Sequence, residues 1–262
     1  MGIFDGILLI SDLDGTLVFD GKISEENIHA IEYFQSNGGL FTICTGRTHI
    51  IDEPFIREIH PNTYTGNVNG ALIYDTEKKR AVLEHSFDDD RVQKYMEIIL
   101  SRFPEHRRIS MATPMGMAIF SRLKKVDTGL LDYCARPIYK IVFSQSAEQT
   151  MEMANEFKNH PDFDVCRSCE FFFEIMPKGI NKGYFVQKMR EILGERVHTT
   201  VAIGDYDNDI DMIRAADIGV AVSGGDENVL KAADWVAPPV TQHALSWLVG
   251  RLEEKIIRSE EI

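Results

Sequence analysis

Ile7-Leu8-Leu9-Ile10-Ser11-Asp12-Leu13-Asp14-Gly15-Thr16 is the stretch on which the reading of this chain turns. Its first four residues form a continuous apolar run, the mark of a strand buried on both faces of a parallel sheet. The acidic pair follows where that strand would end. In open parallel sheets, ligands bind outside the carboxyl ends of the strands. Asp12 and Asp14 alternate, so in an extended backbone both side chains point the same way. Gly15 lets the chain turn sharply beside a bound group. Two close carboxylates repel, and one pKa rises unless a cation or a shared proton intervenes. On its own the pair reads equally well as an acidic turn capping the next loop.

Working outward, Ser24 opens a helix with Glu25 and Glu26 in its first turn, where the helix dipole favours negative charge. Ile28, Ile31 and Phe34 share one face, and Asn37-Gly38-Gly39 stops the helix. Residues 40–44 read as a second buried strand. Strand, helix, strand is the opening of a parallel α/β sheet. The last third repeats this grammar. Helices are predicted at 181–193, 207–215 and 227–233, strands at 199–203 and 218–222, and a closing helix over 241–257.

The middle reads differently. A helix is expected over 90–103, with Val92, Tyr95, Met96, Ile99 and Phe103 at helical spacing, then a strand over 116–121 and a helix ending near Arg136. A strand over 138–143, a capping box at Ser146-Ala147-Glu148-Gln149 and paired strands at 163–167 and 171–175 follow. The expected organisation is a core domain of residues 1–79 and 178–262, with an α+β domain of residues 80–177 inserted into it.

Composition narrows the function. The chain has 262 residues, 44% of them hydrophobic, enough for a sizeable core. Its formal charge is 28 − 41 = −13, which argues against a general nucleic-acid binder. The same charge repels an anionic metabolite, so a phosphate ester would need a bound cation to invert the local field. Cys166-Arg167-Ser168-Cys169 has CxxC spacing, but no second pair completes a zinc site, and the thiols read as ordinary strand residues. Residues 1–10 do not read as a secretory leader, and no apolar run reaches membrane-spanning length. A soluble, cytoplasmic protein without a membrane partner is expected.

Four segments carry the chemistry: Asp12-Leu13-Asp14-Gly15-Thr16, Cys44-Thr45-Gly46-Arg47, Asn181-Lys182-Gly183 and Gly204-Asp205-Tyr206-Asp207-Asn208-Asp209. Three follow predicted strands and one opens a helix, so they can converge on one crevice. The last is not an EF-hand loop, because Ile210 stands where glycine is needed and Ala216 where glutamate is needed. It suits a magnesium site that draws one carboxylate from each of two strand ends. Asp207 and Asp211 read as solvated helix residues. Thr45 and Gly46 offer a hydroxyl and an unhindered amide to a phosphate oxygen, and Lys182 offers a point charge. The P-loop and dinucleotide-binding glycine patterns are absent.

In this order the segments resemble the haloacid dehalogenase superfamily of aspartate-nucleophile phosphatases. Asp12-Leu13-Asp14-Gly15-Thr16-Leu17 matches its DxDGT(L) motif, and Gly204 to Asp209 resembles its GDxxND motif. Asn67-Val68-Asn69-Gly70-Ala71 is similar to the NGA segment of the Cof-type subgroup, whose cap domain lies where the insert is expected. The resemblance implies a Rossmann-like core with an α+β cap. It implies that Asp12 attacks phosphorus to form an aspartyl-phosphate, and that Asp14 serves as general acid and then base. Mg²⁺ would be held by the Asp12 carboxylate, the Asp14 carbonyl and Asp205. Thr45, Gly46, Lys182, Asn208 and the Leu13 amide would hold phosphoryl oxygens, with Asp209 supporting Lys182 or the metal. The substrate would be a small phosphorylated metabolite, such as a sugar phosphate or a cofactor phosphate. A phosphomutase, or a non-catalytic phosphate-binding regulator, is the alternative. Cap candidates for specificity are Arg107, Arg108, Met111, Arg122, Lys140, Arg167 and Glu170.

Overall fold

Strand β1 (Ile7–Ser11) is buried along its whole length. Alternate residues serve two different cores. Ile7 and Leu9 pack with the apolar faces of the helices Glu25–Ser36 (α1) and Ala244–Ile257, while Leu8 and Ile10 pack with Phe185, Val186 and Met189 on the other side. A continuous apolar run is what this two-sided burial requires. The computed structural model describes residues 2–105, 107–121 and 128–258. Arg122, one of the cap candidates, lies outside them.

After β1 a short hairpin, β2 (Val18–Phe19) and β3 (Lys22–Ile23), leads into α1, where the Ser24 hydroxyl accepts from the Asn27 amide as expected of an N-cap. β4 (Leu40–Ile43) returns parallel to β1. Next come the short helix α2 (Glu53–Ile59) and an antiparallel sheet of β5 (Thr65–Asn67), β6 (Leu72–Asp75) and β7 (Arg80–Glu84). Since β7 pairs with β6, we place the start of the insert after Glu84 rather than at residue 80.

The insert runs α3 (Asp89–Arg102), β8 (Arg108–Thr113), β9 (Gly116–Ser121), β10 (Lys140–Ser144), α4 (Ala147–Phe157), β11 (Phe163–Cys169) and β12 (Phe172–Pro177). Its strands form one antiparallel sheet in the order β11-β12-β10-β8-β9. Period two sorts its residues cleanly. Ile109, Met111, Ile141, Phe143, Phe173 and Ile175 join Val92, Met96 and Met153 of the helices in one apolar cluster. Met111 is therefore packing rather than a specificity residue. The helix expected to end near Arg136 is, in its described part, a 3-10 turn at Thr128–Tyr133. Gly129 weakens a helix there, and Pro137 restricts the residue before it.

The chain then completes the core with α5 (Lys182–Leu193), β13 (Thr199–Gly204), α6 (Ile210–Ala215), β14 (Ile218–Val222), α7 (Glu227–Ala232), β15 (Trp235–Ala237) and α8 (Ala244–Ile257). The helix expected over 207–215 begins as a 3-10 turn at Asp207–Asp209. The closing helix starts at Ala244, later than expected, because His243 takes a left-handed backbone with φ 60°. The core sheet is parallel, in the order β15-β14-β13-β1-β4. From β1 the chain moves first to one side and later to the other, so the strand order reverses between β1 and β13. That reversal is where a doubly wound sheet opens a crevice at its strand ends. Among the described residues, no helix is long and apolar enough to cross a membrane.

One buried acid away from the crevice has a measurable consequence. Asp52, at the start of α2, is 1% exposed, and its Oδ2 accepts from Asn67 Nδ2 at 2.5 Å. Burial pushes its carboxyl up to about 7, against the pull of the Asn67 amide and the Arg47 charge. The folded protein thus binds a proton that the unfolded chain releases near pH 3.8. Stability falls as pH rises from about 4 to about 7 and then levels off. Asp52→Asn keeps the acceptor for Asn67 and removes that slope. Its advantage over the native protein in thermal unfolding should grow between pH 4 and 8, by up to about 4 kcal/mol. A pH-independent difference would refute this.

Candidate active site

The end of β1 meets the end of β13. Lys182, the first residue of α5, is fully buried, and its Nζ donates to Asp12 Oδ1 and Asp209 Oδ1, both at 2.5 Å. Asn181 caps that helix, its Oδ1 accepting from the Tyr184 amide at 2.9 Å, which aims Lys182 inward. Asp209 is saturated. Its other oxygen accepts from the Asp205 and Tyr206 amides at 3.0 and 3.1 Å. Asp12, Asp205 and Asp209 bring carboxylate oxygens within 4.8 Å of one another.

The electrostatics of this cluster are those of a group that could hold a cation. Burial, with the Asp209 and Asp205 charges, pushes the Asp12 carboxyl well up, although Lys182 pulls it down. Burial lowers the Lys182 ammonium, but Asp12 and Asp209 outweigh it and hold the lysine charged. Burial and the Asp209 charge push Asp205 up to about 7. A hard divalent ion held by Asp12 and Asp205 would relieve this repulsion, and their carboxylate oxygens are the donors magnesium prefers. With both Asp209 oxygens already taken, Asp12 and Asp205 are the carboxylates free to hold it.

Small residues let these groups approach. Gly15 has φ +83°, and a Cβ there would lie 2.4 Å from Asp205 Oδ2. Thr16 Oγ1 donates to Asp205 Oδ1 at 2.9 Å, fixing the second carboxylate from the first loop.

Asp14 stands apart from Asp12. It is solvent-facing, with 55% of its side chain exposed, and is gripped by Arg47 through Nε to Oδ2 at 2.7 Å and Nη2 to Oδ1 at 2.6 Å. Arg47 falls in a sequence motif, but its partner was hidden there, since 33 positions separate it from Asp14. Leu13 is buried in the core, so only its backbone faces the site. Thr45 is buried and accepts from the Arg47 amide at 3.2 Å. Asn208 Nδ2 donates to Asn69 Oδ1 at 3.2 Å.

The insert roofs the site. Asp12, Asp14, Gly46, Asp205 and Asn208 floor a cavity of about 450 Å³, and the sheet of the insert closes it from above. Polar bridges join roof to floor. Lys140 Nζ donates to the Gly46 carbonyl at 2.9 Å, and also to Glu174 Oε1 at 2.9 Å. Asn69 Nδ2 donates to Glu174 Oε2 at 2.7 Å. Arg167 Nε donates to Asp207 Oδ2 at 2.5 Å. Asp207 is therefore not the solvated helix residue expected, because a cap arginine has claimed it. Asp211 is exposed, as expected, and accepts from Asn181. Glu174 is buried, which pushes its carboxyl up, but Lys140, Ser168 and Asn69 outweigh this and hold it below its usual range. Among the other candidates, Arg107 and Glu170 are exposed, and Arg108 lines the cavity. Cys166 and Cys169 both lie in β11 as free thiols.

The sequence matches the haloacid dehalogenase-like hydrolase family across residues 9–249. The chain belongs to this family. The expectation of a haloacid dehalogenase-type phosphatase hydrolase is thus met at the level of family and enzyme class. A curated relative within it is 5-amino-6-(5-phospho-D-ribitylamino)uracil phosphatase YcsE of Bacillus subtilis (strain 168), 26% identical, the match covering 87% of this chain and 88% of that protein. Among solved structures, a haloacid dehalogenase-like hydrolase from B. subtilis superposes with a TM-score of 0.78 at 22% identity, covering 94% of this chain and 99% of that one. The subclass IIB sugar phosphatase BT4131 does so with a TM-score of 0.76 at 20% identity, covering 93% and 98%. These two likenesses establish the haloacid dehalogenase fold, a parallel α/β core.

Proposed function

We propose that the protein is a Mg²⁺-dependent phosphatase that hydrolyses a small phosphorylated metabolite through an aspartyl-phosphate on Asp12. The observation that carries this reading is Lys182, fully buried and bonded to both Asp12 and Asp209, beside Asp205 at the adjoining strand end. A solvated acidic turn would not enclose a lysine in this way. The names of the relatives support the substrate class, since one is called a phosphatase of a ribitylamino-uracil phosphate and a structural neighbour a sugar phosphatase. A sugar phosphate or a cofactor phosphate is the class we adopt.

The steps follow from the residues. An Asp12 oxygen attacks phosphorus, and the bond from phosphorus to the ester oxygen breaks. Asp14 gives that oxygen its proton. Asp14 then takes a proton from water, whose oxygen attacks the aspartyl-phosphate, releasing inorganic phosphate and restoring Asp12. Lys182, the Leu13 and Gly46 amides, Thr45 and Asn208 spread the negative charge of the phosphoryl oxygens. Mg²⁺, held by Asp12, the Asp14 carbonyl and Asp205, would neutralise charge on the phosphoryl group when bound. Asp209 positions Lys182. A phosphomutase would have to shield the aspartyl-phosphate from water, whereas the Asp14 side chain that would activate water is 55% exposed, which supports hydrolysis.

Phosphate release from a panel of sugar phosphates and cofactor phosphates tests the proposal. Release is expected with Mg²⁺ and abolished by EDTA. Turnover that appears only with a bisphosphate activator, without net phosphate release, would instead make the protein a mutase.

A further inference from the structure

The cavity roof carries a cation that the chemistry above does not use. On the cavity face of the insert, Lys140 is followed two residues on by Val142 and four residues on by Ser144 along β10. Arg108 of β8 is the register partner of Ser144, and Phe172 of β12 is its partner on the other side. Lys140 touches the Gly46 carbonyl and so marks the phosphate end of the cavity. The row of Arg108, Ser144 and Phe172 lies four strand residues away, about 13 Å. It forms the distal end.

Three observations set Arg108 apart. Its guanidinium lies over the Phe172 ring, 5.9 Å from the centroid, and both residues line the cavity. Among the described residues it has neither an ion pair nor a side-chain hydrogen bond, whereas Lys140 and Arg167 each hold a carboxylate. Its Nε is buried and has no acceptor, and the Ser144 hydroxyl on the neighbouring strand is likewise buried without a partner. An arginine is always charged. Leaving a buried donor of such a group unmade is costly, and Val142 and Ile119 in the next row of the cavity wall offer no side-chain acceptor. Three of the four acidic groups that line the cavity are paired with cations, Asp14 with Arg47, Asp12 with Lys182 and Glu174 with Lys140, and the fourth, Asp205, is bonded by Thr16 at the phosphate end.

We propose that Arg108, with Ser144 beside it and Phe172 beneath it, forms a distal anion subsite, and that the physiological ester carries a second anionic group at the far end of its leaving group. The inference rests on the phosphatase reading of the same cavity and narrows its substrate class. The second group is a carboxylate or a phosphate, both matched by the planar guanidinium fork. Compact esters with an uncharged leaving group fill only the phosphate end.

Calorimetric titration of the full chain with non-hydrolysable phosphonates in saturating Mg²⁺ tests the subsite without turnover. The probes are hexylphosphonate, 6-phosphonohexanoate and hexane-1,6-bisphosphonate. Both anion-tailed probes are expected to bind about ten-fold or more tightly than hexylphosphonate. In Arg108→Gln that ratio should fall below about two-fold. Binding of hexylphosphonate to the variant certifies that it is folded. The better of the two tailed probes identifies the anion as carboxylate or phosphate. Equal affinity of all three probes for the native protein would overturn the subsite, as would a tail preference that survives in Arg108→Gln. The phosphate-release panel fails separately. A protein that releases no phosphate yet shows the Arg108-dependent preference keeps the subsite and loses the phosphatase reading.

Discussion

Asp12→Asn is expected to abolish Mg²⁺-dependent hydrolysis of p-nitrophenyl phosphate, lowering kcat by roughly 10³-fold or more. The amide fills the same space as the carboxylate and still accepts a hydrogen bond from Lys182, which keeps Asp209 as its charged partner. It can neither attack phosphorus nor donate a negative oxygen to a cation. The protein should therefore fold, bind phosphonates more weakly and turn over nothing. Thermal unfolding alongside the assay separates loss of chemistry from loss of structure. A folded variant within ten-fold of native activity would remove Asp12 as the nucleophile.

The second large effect concerns stability. Lys140 and Glu174 are 4% and 3% exposed at their side chains and bonded at 2.9 Å. Removing one partner strands the other charge in the roof of the cavity, which typically costs about 3–5 kcal/mol. Lys140→Met and Glu174→Gln are not equivalent in detail. The first leaves Glu174 with Ser168 and Asn69, and the second leaves Lys140 with the Gly46 carbonyl. Each single change should lower the urea midpoint substantially. The double variant, with no buried charge left unpaired, should recover most of the loss, giving a coupling energy of about 2 kcal/mol or more. Additive single effects would show that the pair acts as two independent contacts.

The strand that leads to Asp12 was legible because it is a parallel strand. Such a strand needs four apolar residues in a row at Ile7–Ile10, and the acidic loop after it marks the carboxyl end. The helix caps at Ser24 and Ser146 were legible because capping depends on residues three positions apart, and both accept from backbone amides as expected. What stayed hidden depends on register between strands or on distant loops. Nothing near Arg167 in sequence announces Asp207, nor anything near Lys140 announces Glu174. Each pair forms only once the insert is docked. The α2 helix and the β5–β7 sheet were missed because both are built from short elements, too brief for a period to emerge. Arg108 was one of seven polar or flexible candidates in the cap. Its place over Phe172 in the cavity wall and its buried, unpartnered Nε separate it from the rest, and both are properties of the folded protein.

The order of the core sheet also bears on how the enzyme is made. β1 sits between β4 and β13, so the strand bearing Asp12 gains its second neighbour only when residues 199–204 have been synthesised. Lys182 and Asp205 arrive late too, after the whole insert, whose strands pair only among themselves. On a ribosome adding about 5–20 residues per second, the insert can fold while Asp12 still lacks Lys182 and Asp205. A nascent chain released early, or one clipped before β13, carries Asp12 and Asp14 without the groups that arm them. By the mechanism proposed above, such a fragment lacks the lysine, the second carboxylate or both, and hydrolysis requires them.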